Sequence, residues 1–500
     1  MFDWIATSTP EAEGIPSSAI NAYLDAIHEE NLQLHSLYII RNDKMIASGV
    51  AAPFTPDSIH RIYSAAKGIV SAATLFAISE GYFTFDTPVA PLLRAHMPAN
   101  ADPRWEKLTI YHLLTMTTGH NKETFSAMRT SDDWVRTFFE TPPVNEPGST
   151  FFYDIGAQYV LNFLILQETG MNVDEYLKPR LLEPLGIEMQ AMHGAQEIFN
   201  SSSIHLRPVD MAKLAYFYLH EGSWNGRQLL DPELARDAGR FHVSNYDPRR
   251  GLTNATAGYA LHMWRNAVGG FRLDGGQGQY GVVLPDANMA VGIMSSDQKA
   301  FRILELFFDK IYSVCRRRPL AENPAEYQKM TEKLAKWNLV PDSFSFYSPK
   351  EQALNGKTVT FAPNALEIQS VGFTFGDKTA LTVRYTDGAE RTAAFGRCGQ
   401  WLDGRGYLFT RDEYVDVGDL GLIMFRDPAA SLCTAGWLDN DRLKFVFRSA
   451  SLLSELYGCF RFSDSGVELS VSPAFLPDNG VPQMPPMGAR PIILRGSFAD

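Results

Sequence analysis

The 500-residue chain carries 45 Lys and Arg against 57 Asp and Glu, a formal net charge of -12, with 45% hydrophobic and 20% charged residues. That balance fits two or three globular domains with sizeable cores and argues against a disordered chain. An acidic surface repels phosphate backbones, and the single basic cluster, Arg316, Arg317 and Arg318, reads as a solvated helix end, so nucleic acid is not an expected partner.

The opening residues, MFDWIATSTPEAEG, hold no basic stretch followed by an apolar run, so no signal peptide is read and a cytoplasmic location is expected. No apolar stretch approaches the length of a membrane span. Pro16 and Ser17 open a helix, SSAINAYLDAIHEE, with Ile20, Tyr23, Leu24 and Ile27 at helical spacing. LYIIRNDKMIASGV then gives two β-rich runs around the turn pair Asn42 and Asp43. The next element, SAAKGIVSAATLFAISEG, leaves no polar face, so it predicts a helix buried on all sides with Gly81 as its stop. Residues 110–235 read mainly as helix. Strands return at AGYALHMWRN and in a hairpin, GQYGVVLPDANMAVGIMSS, and a helix from Lys299 follows.

This order predicts one antiparallel sheet built from both flanks of a first domain, helices on its faces, and a helical lobe formed by the long insertion. Residues 1–320 are read as that domain and 321–345 as a polar, proline-bearing linker with a short helix. Residues 346–472 then read as a small antiparallel barrel or sandwich. Its strands are KTVTFA, ALEIQSV, ALTVRYTDG, GYLFTRDEY, LGLIMF, LKFVFRS and GVELSVS. Residues 473–500 are Pro-rich and expected to be extended. The fold class is thus α/β (α+β) with a C-terminal all-β domain. Cys315, Cys398, Cys433 and Cys459 form no CxxC pair, so they read as free thiols and no zinc site is indicated.

Ser64 and Lys67 stand three apart on the buried helix and therefore share a face. Serine is a poor nucleophile without a base beside it, and lysine can serve once burial disfavours its charged form. Lys67 is the only charged residue between Arg61 and Glu80, in apolar surroundings that make an unpaired charge costly. A second Ser-x-x-Lys, Ser296 to Lys299, is polar and follows a strand, so Ser296 reads as a helix N-cap. The helix N-terminus under Ser64 favours a developing oxyanion.

Several segments in order resemble the serine β-lactamase-related family. They are TPEAEG, HSLYIIRNDKMIASG, IHRIYSAAKGIVSAATLFAISEGYFTFDTPV, LTIYHLLTMTTGH, YLKPRLLEPLGI, RPVDMAKLAYFYLHEGSWNGRQLL and the hairpin, spanning roughly residues 8–315. That group includes class C β-lactamases, DD-peptidases, D-aminopeptidases, esterases and 6-aminohexanoate-dimer hydrolases. The resemblance implies a β-lactamase/transpeptidase-like fold. It implies a proton-shuttling tyrosine, matched by Tyr153 in FFYDIGAQYVLN, although Ile155 stands where the family often has Asn. It implies a third motif on an edge strand, a Lys or His followed by any residue and Gly. The match falls at Leu273, Asp274, Gly275 and Gly276, and Leu273 departs from the basic residue. By the same geometry the amides of Ser64 and Gly276 form an oxyanion hole. Asp274, Gly275, Gln279 and His120 are expected to line the substrate cleft.

The expectation is a serine hydrolase acting through a Ser64 ester on a small ester, amide or peptide, with no metal and no organic cofactor. The two motif departures favour an ester or linear amide over a β-lactam. The rival reading is a catalytically idle module that keeps the fold for binding or sensing. A homo-oligomer and the physiological substrate stay open.

Overall fold

The computed structural model describes residues 3–128, 130–297, 299–339, 344–345, 347–404, 408–409, 431–449, 455–464, 466–473 and 492–499. Contacts group the chain into two units, one of residues 1–50, 61–295 and 299–335, the other of residues 51–60, 296–298 and 336–500.

The two flanks of the first unit share a seven-stranded sheet. Its order is Ala6–Thr7, Lys44–Val50, Leu34–Arg41, Met289–Ser295, Gln279–Leu284, Phe271–Gly275 and Trp264–Arg265. All its pairings are antiparallel except that of Ala6–Thr7 with Lys44–Met45. The interior strand Leu34–Arg41 is buried at every position. Its hairpin turns on Asn42 and Asp43, both at positive φ (48° and 61°), the backbone a tight two-residue turn requires. The helices Ser17–Glu29 and Ala300–Lys310 meet through Tyr23 and Phe307, whose rings lie 6.2 Å apart. The helix Pro324–Ala335, in the stretch expected to be a linker, is tied to the first helix, with Asn21 Nδ2 donating to Glu326 Oε2 at 2.7 Å.

The insertion supplies the helical lobe. The helix Ala66–Ser79 is buried from Ala66 to Ala77, as its lack of a polar face demands. The helix Ile155–Thr169 is buried from Gly156 to Ile165, and Gly170 at φ 73° ends it. Two expectations need correction. AGYALHMWRN yields only the two-residue strand Trp264–Arg265, because His262 sits at φ 58° and its N–H bonds Leu114 O at 2.8 Å instead of a ladder partner. Ser296 caps no helix, since the helix starts at Ala300 and its N-cap position, Lys299, makes no side-chain cap bond.

The second unit is a β-barrel. Strands Thr358–Phe361, Ile368–Phe375, Thr379–Tyr385 and Glu390–Arg397 form a meander, and Ser431–Trp437, Arg442–Ser449, Glu455–Ser463, Gly466–Pro473 and Ile492–Phe498 form a second. Thr358–Phe361 pairs with Ile492–Phe498, and Glu390–Arg397 pairs in parallel with Ser431–Trp437, which closes the ring. Closure removes the exposed edges an open sheet would leave. Phe373, Phe395, Phe445, Phe447 and Phe460 fill the interior. Ile492–Phe498 lies in the segment 473–500 expected to be extended, while the expected strands GYLFTRDEY and LGLIMF lie almost wholly outside the described residues. No disulfide joins any of the four cysteines. No helix among the described residues is long and apolar enough to cross a membrane.

Candidate active site

Ser64 lies in a single 3-10 turn, Tyr63–Ala65, that feeds the buried helix. Ile62 fixes the turn from both sides. Its N–H donates to Ile204 O at 3.0 Å, and its carbonyl accepts from Ala65 N at 3.1 Å. Tyr63 is held at φ 48°, an unfavourable conformation for a bulky side chain that costs of order 1–3 kcal/mol. Such strain persists only where surrounding packing over-determines it, and here it leaves Ser64 half-exposed at the start of the helix.

One turn later, Lys67 is only 2% exposed, and its Nζ lies 3.3 Å from Ser64 Oγ. A hydroxyl that solvent can reach is thus joined to an amine that is almost wholly enclosed. The same Nζ lies 4.8 Å from the centroid of the Tyr153 ring. Tyr153 belongs to an aromatic group, with Trp264 at 5.5 Å and Tyr259 at 6.4 Å between centroids, and Phe151 5.0 Å from Tyr259. Burial raises the Tyr259 hydroxyl well above its ordinary pKa, so that group stays neutral.

The strand Phe271–Gly275 is pressed against the helix and turn that carry Ser64. A Cβ on Gly68 would stand 2.5 Å from Leu273 Cδ2, and a Cβ on Gly275 would stand 2.1 Å from Ile62 O. Only glycine permits either approach. The outer neighbour, Trp264–Arg265, pairs with Arg272 and Phe271 and no further, so among the described residues no strand covers the edge from Leu273 to Gly275.

The candidate residues divide. Ser64, Lys67 and Tyr153 converge, and the Gly275–Gly276 segment abuts their turn. Asp274 does not offer a free carboxylate. It is paired with the fully buried Arg272 at 2.7 Å, and burial raises its pKa against the pull of that guanidinium. Gln279, expected in the cleft, is fully buried, and its Nε2 donates to Gly276 O at 3.2 Å and to Ser295 O at 2.5 Å. It braces the glycine turn. His120 is also enclosed, with Nε2 donating to Thr141 O at 2.9 Å and Nδ1 3.1 Å from Asp154 Oδ2. A side chain with no exposed surface and both ring nitrogens occupied cannot face substrate.

Sequence reasoning missed Asp154, although an acidic residue just before an apolar helix is an N-cap signal. It also missed His262, which nothing in the local pattern distinguishes. Its Nε2 lies 3.1 Å from Leu113 O, and burial, with a smaller push from Lys67, lowers its pKa to about 3. No cluster of His, Cys, Asp and Glu suited to a metal ion occurs among the described residues.

Residues 29–306 match the family described as "Beta-lactamase". Esterase EstB of Burkholderia gladioli is 25% identical over 212 residues, 36% of this chain and 54% of that protein, so the chain spans about half the length of this curated relative. A penicillin-binding protein homologue from Caulobacter crescentus superposes with a TM-score of 0.50 at 16% identity, over 61% of this chain and 99% of the other. An octameric penicillin-binding protein homologue from Pyrococcus abyssi covers 90% of this chain and 97% of its own at 16% identity, with a TM-score of 0.46.

Proposed function

The chain belongs to the beta-lactamase family, and on that premise we propose that it hydrolyses a small ester or amide through an acyl-enzyme on Ser64. The observation that carries this reading is the 3.3 Å contact between a half-exposed Ser64 hydroxyl and a buried Lys67 amine.

Lys67 Nζ takes the hydroxyl proton as Ser64 Oγ attacks the substrate carbonyl. The negative charge that develops on the carbonyl oxygen is held by the amides of Ser64 and Gly276, fixed donors that need no reorganisation during the step. Tyr153 donates its phenolic proton to the departing alcohol or amine and is reprotonated by the Lys67 ammonium, which relays the Ser64 proton and leaves the amine neutral again. Water then attacks the Ser64 ester, with the same groups running in reverse. Every proton transfer is accounted for by these three side chains.

The surroundings favour an ester or linear amide over a β-lactam. Leu273, where the family carries a basic residue, is fully buried and packs over Gly68, so it offers no cation to a substrate carboxylate. Ile155, where the family often has Asn, offers no amide. The half-buried rings of Phe151, Tyr153 and Trp264 suit an apolar acyl or leaving group.

The test is covalent labelling with a fluorophosphonate, followed by intact mass, beside turnover of p-nitrophenyl esters and anilides. Wild type gains one adduct and Ser64→Ala gains none. Equal labelling of the two proteins refutes the assignment of the nucleophile.

A further inference from the structure

Asp154 carries more hydrogen bonds than a helix cap needs. It sits at the N-cap of Ile155–Thr169, and its Oδ1 accepts from Gly156 N at 3.1 Å. That bond alone is the capping function, and Ser, Thr or Asn would supply it. The Asp caps elsewhere in this unit, Asp102, Asp133 and Asp231, are partly or fully exposed and bond mainly their own following residues. Asp154 instead has no exposed surface, takes further hydrogen bonds from the Thr124 N–H and hydroxyl, and is approached by the His120 ring, whose Nδ1 also lies 3.1 Å from Thr118 Oγ1. Thr124 N donates at 3.0 Å and Thr124 Oγ1 at 2.9 Å, and His120 Nδ1 lies 3.1 Å from Oδ2. A buried carboxylate is costly unless its oxygens are saturated, so this arrangement asks for a purpose beyond the cap.

The purpose is legible in what lies beside it. The segment leading to Tyr153 is stitched to the loop 116–120 along its length. Gly119 O accepts from Val144 N at 2.8 Å and Asn145 N at 2.9 Å, Thr117 O accepts from Gly148 N at 2.7 Å, and Met116 O accepts from Phe152 N at 2.9 Å. Asp154 is pinned to the same loop through His120, and His120 is fixed behind by Thr141 O. Tyr153 is therefore the one residue between two anchors, with its ring held over the Lys67 amine.

From this we infer that Asp154 and His120 are positioning residues for the reaction, setting Tyr153 at the angle and depth from which it can protonate the leaving group. The inference rests on the proposed role of Tyr153. Neither residue touches substrate. A donor displaced by about 1 Å loses of order a hundredfold in rate, so a mobile Tyr153 would cost most where the leaving group most needs a proton. An alkoxide needs it. The stable p-nitrophenolate does not.

The experiment compares kcat/KM for the p-nitrophenyl and methyl esters of one acid in the folded full-length protein. Asp154→Asn retains a capping oxygen but places an amide against the His120 ring or the Thr124 donors. Its kcat/KM for the methyl ester is expected to fall about tenfold or more, while that for the p-nitrophenyl ester and the rate of fluorophosphonate labelling stay within about threefold of wild type. A general loosening of the site would lower all three together, and that result, or no change in any of them, overturns the inference. Should Asp154→Asn fail to fold, Thr124→Val, which removes the hydroxyl's bonds to both Asp154 oxygens at 2.9 and 3.1 Å and its 3.6 Å contact with Met128 Sδ, is judged by the same ratio. Failure of the underlying reading is distinct, since it appears in Ser64→Ala labelling with both positioning residues intact.

Discussion

Gly275→Ala is the sharpest test of how the strand meets the nucleophile. The added Cβ would lie 2.1 Å from Ile62 O and 3.1 Å from Ala65 N, both backbone atoms of the turn that presents Ser64. Contacts under 3.0 Å are essentially never adopted by a Cβ, so strand and turn must separate by about 0.9 Å, the gap between 2.1 and 3.0 Å. Neither atom can swing aside as a flexible side-chain tip would. The two amides of the proposed oxyanion hole lie on opposite sides of this seam, so their spacing opens by a comparable amount. Misplacement on that scale costs about a hundredfold in rate, and overpacking a filled site costs about 1–3 kcal/mol in stability. The neighbouring residue is the control. A Cβ on Gly276 meets nothing nearer than the Tyr63 ring at 3.7 Å, and Gly276 is not among the residues at positive φ. Gly276→Ala should therefore keep kcat/KM for a p-nitrophenyl ester within about threefold, while Gly275→Ala loses about a hundredfold. Fluorophosphonate labelling rates should follow the same order. The reasoning fails if Gly275→Ala keeps wild-type activity, or if Gly276→Ala is equally damaged.

Lys67→Met keeps the length and apolar stem of the side chain and removes the amine that faces Ser64 Oγ. We expect kcat/KM to fall about a thousandfold, as for loss of a general base, with the unfolding midpoint unchanged or raised because a buried amine no longer needs accommodating. A drop of only a few-fold would remove Lys67 from the mechanism. His262, with its pKa lowered to about 3 in the fold, gives a pH signature. The unfolded ring protonates near its ordinary value of about 6.5, so the unfolded state binds the extra proton in the window between. The stabilisation from burying the neutral ring is complete above about 6.5 and is lost as pH falls through that window toward 3. At pH 5 the loss is about 2 kcal/mol. Urea unfolding at pH 7 and pH 5 should show a smaller acid loss in His262→Gln than in wild type by that amount, and equal losses would contradict the buried neutral ring.

How much of this was legible in the sequence depends on the range of the interaction. The Ser64–Lys67 pair could be read because its geometry is set by one helical turn, and because an amine among Ile69, Val70 and Ala73 is conspicuous. The sheet shared by both flanks could be read because its strands are long and apolar. The side chains of His120 and Gln279 could not be placed, because loop and turn residues take their direction from tertiary partners such as Thr141 O and Ser295 O, far away in sequence. Asp274 illustrates the same limit. A carboxylate beside two glycines looks like a ligand, and only the fold brings Arg265 O, Asn266 and Asn254 O around Arg272 to make it half of a buried ion pair. The shortness of the Trp264–Arg265 strand follows likewise from the positive φ of His262, whose cause is the Leu113–Leu114 backbone more than a hundred residues earlier.

The departures from the family pattern are unevenly distributed, and that distribution bears on function. Leu273 and Ile155 each put an apolar residue where the family places a polar contact to substrate. Ser64, Lys67 and Tyr153 are retained, and the seam that needs glycine at positions 68 and 275 keeps it. Loss of activity would relax both sets alike, since a binding module has no use for a lysine buried against a serine or for strain at Tyr63. Here the costly features that would serve proton transfer in the proposed mechanism are present, and the departures fall at the two motif positions expected to contact substrate. The proposed hydrolase of less polar esters or linear amides accounts for both observations, whereas an idle scaffold accounts only for the second.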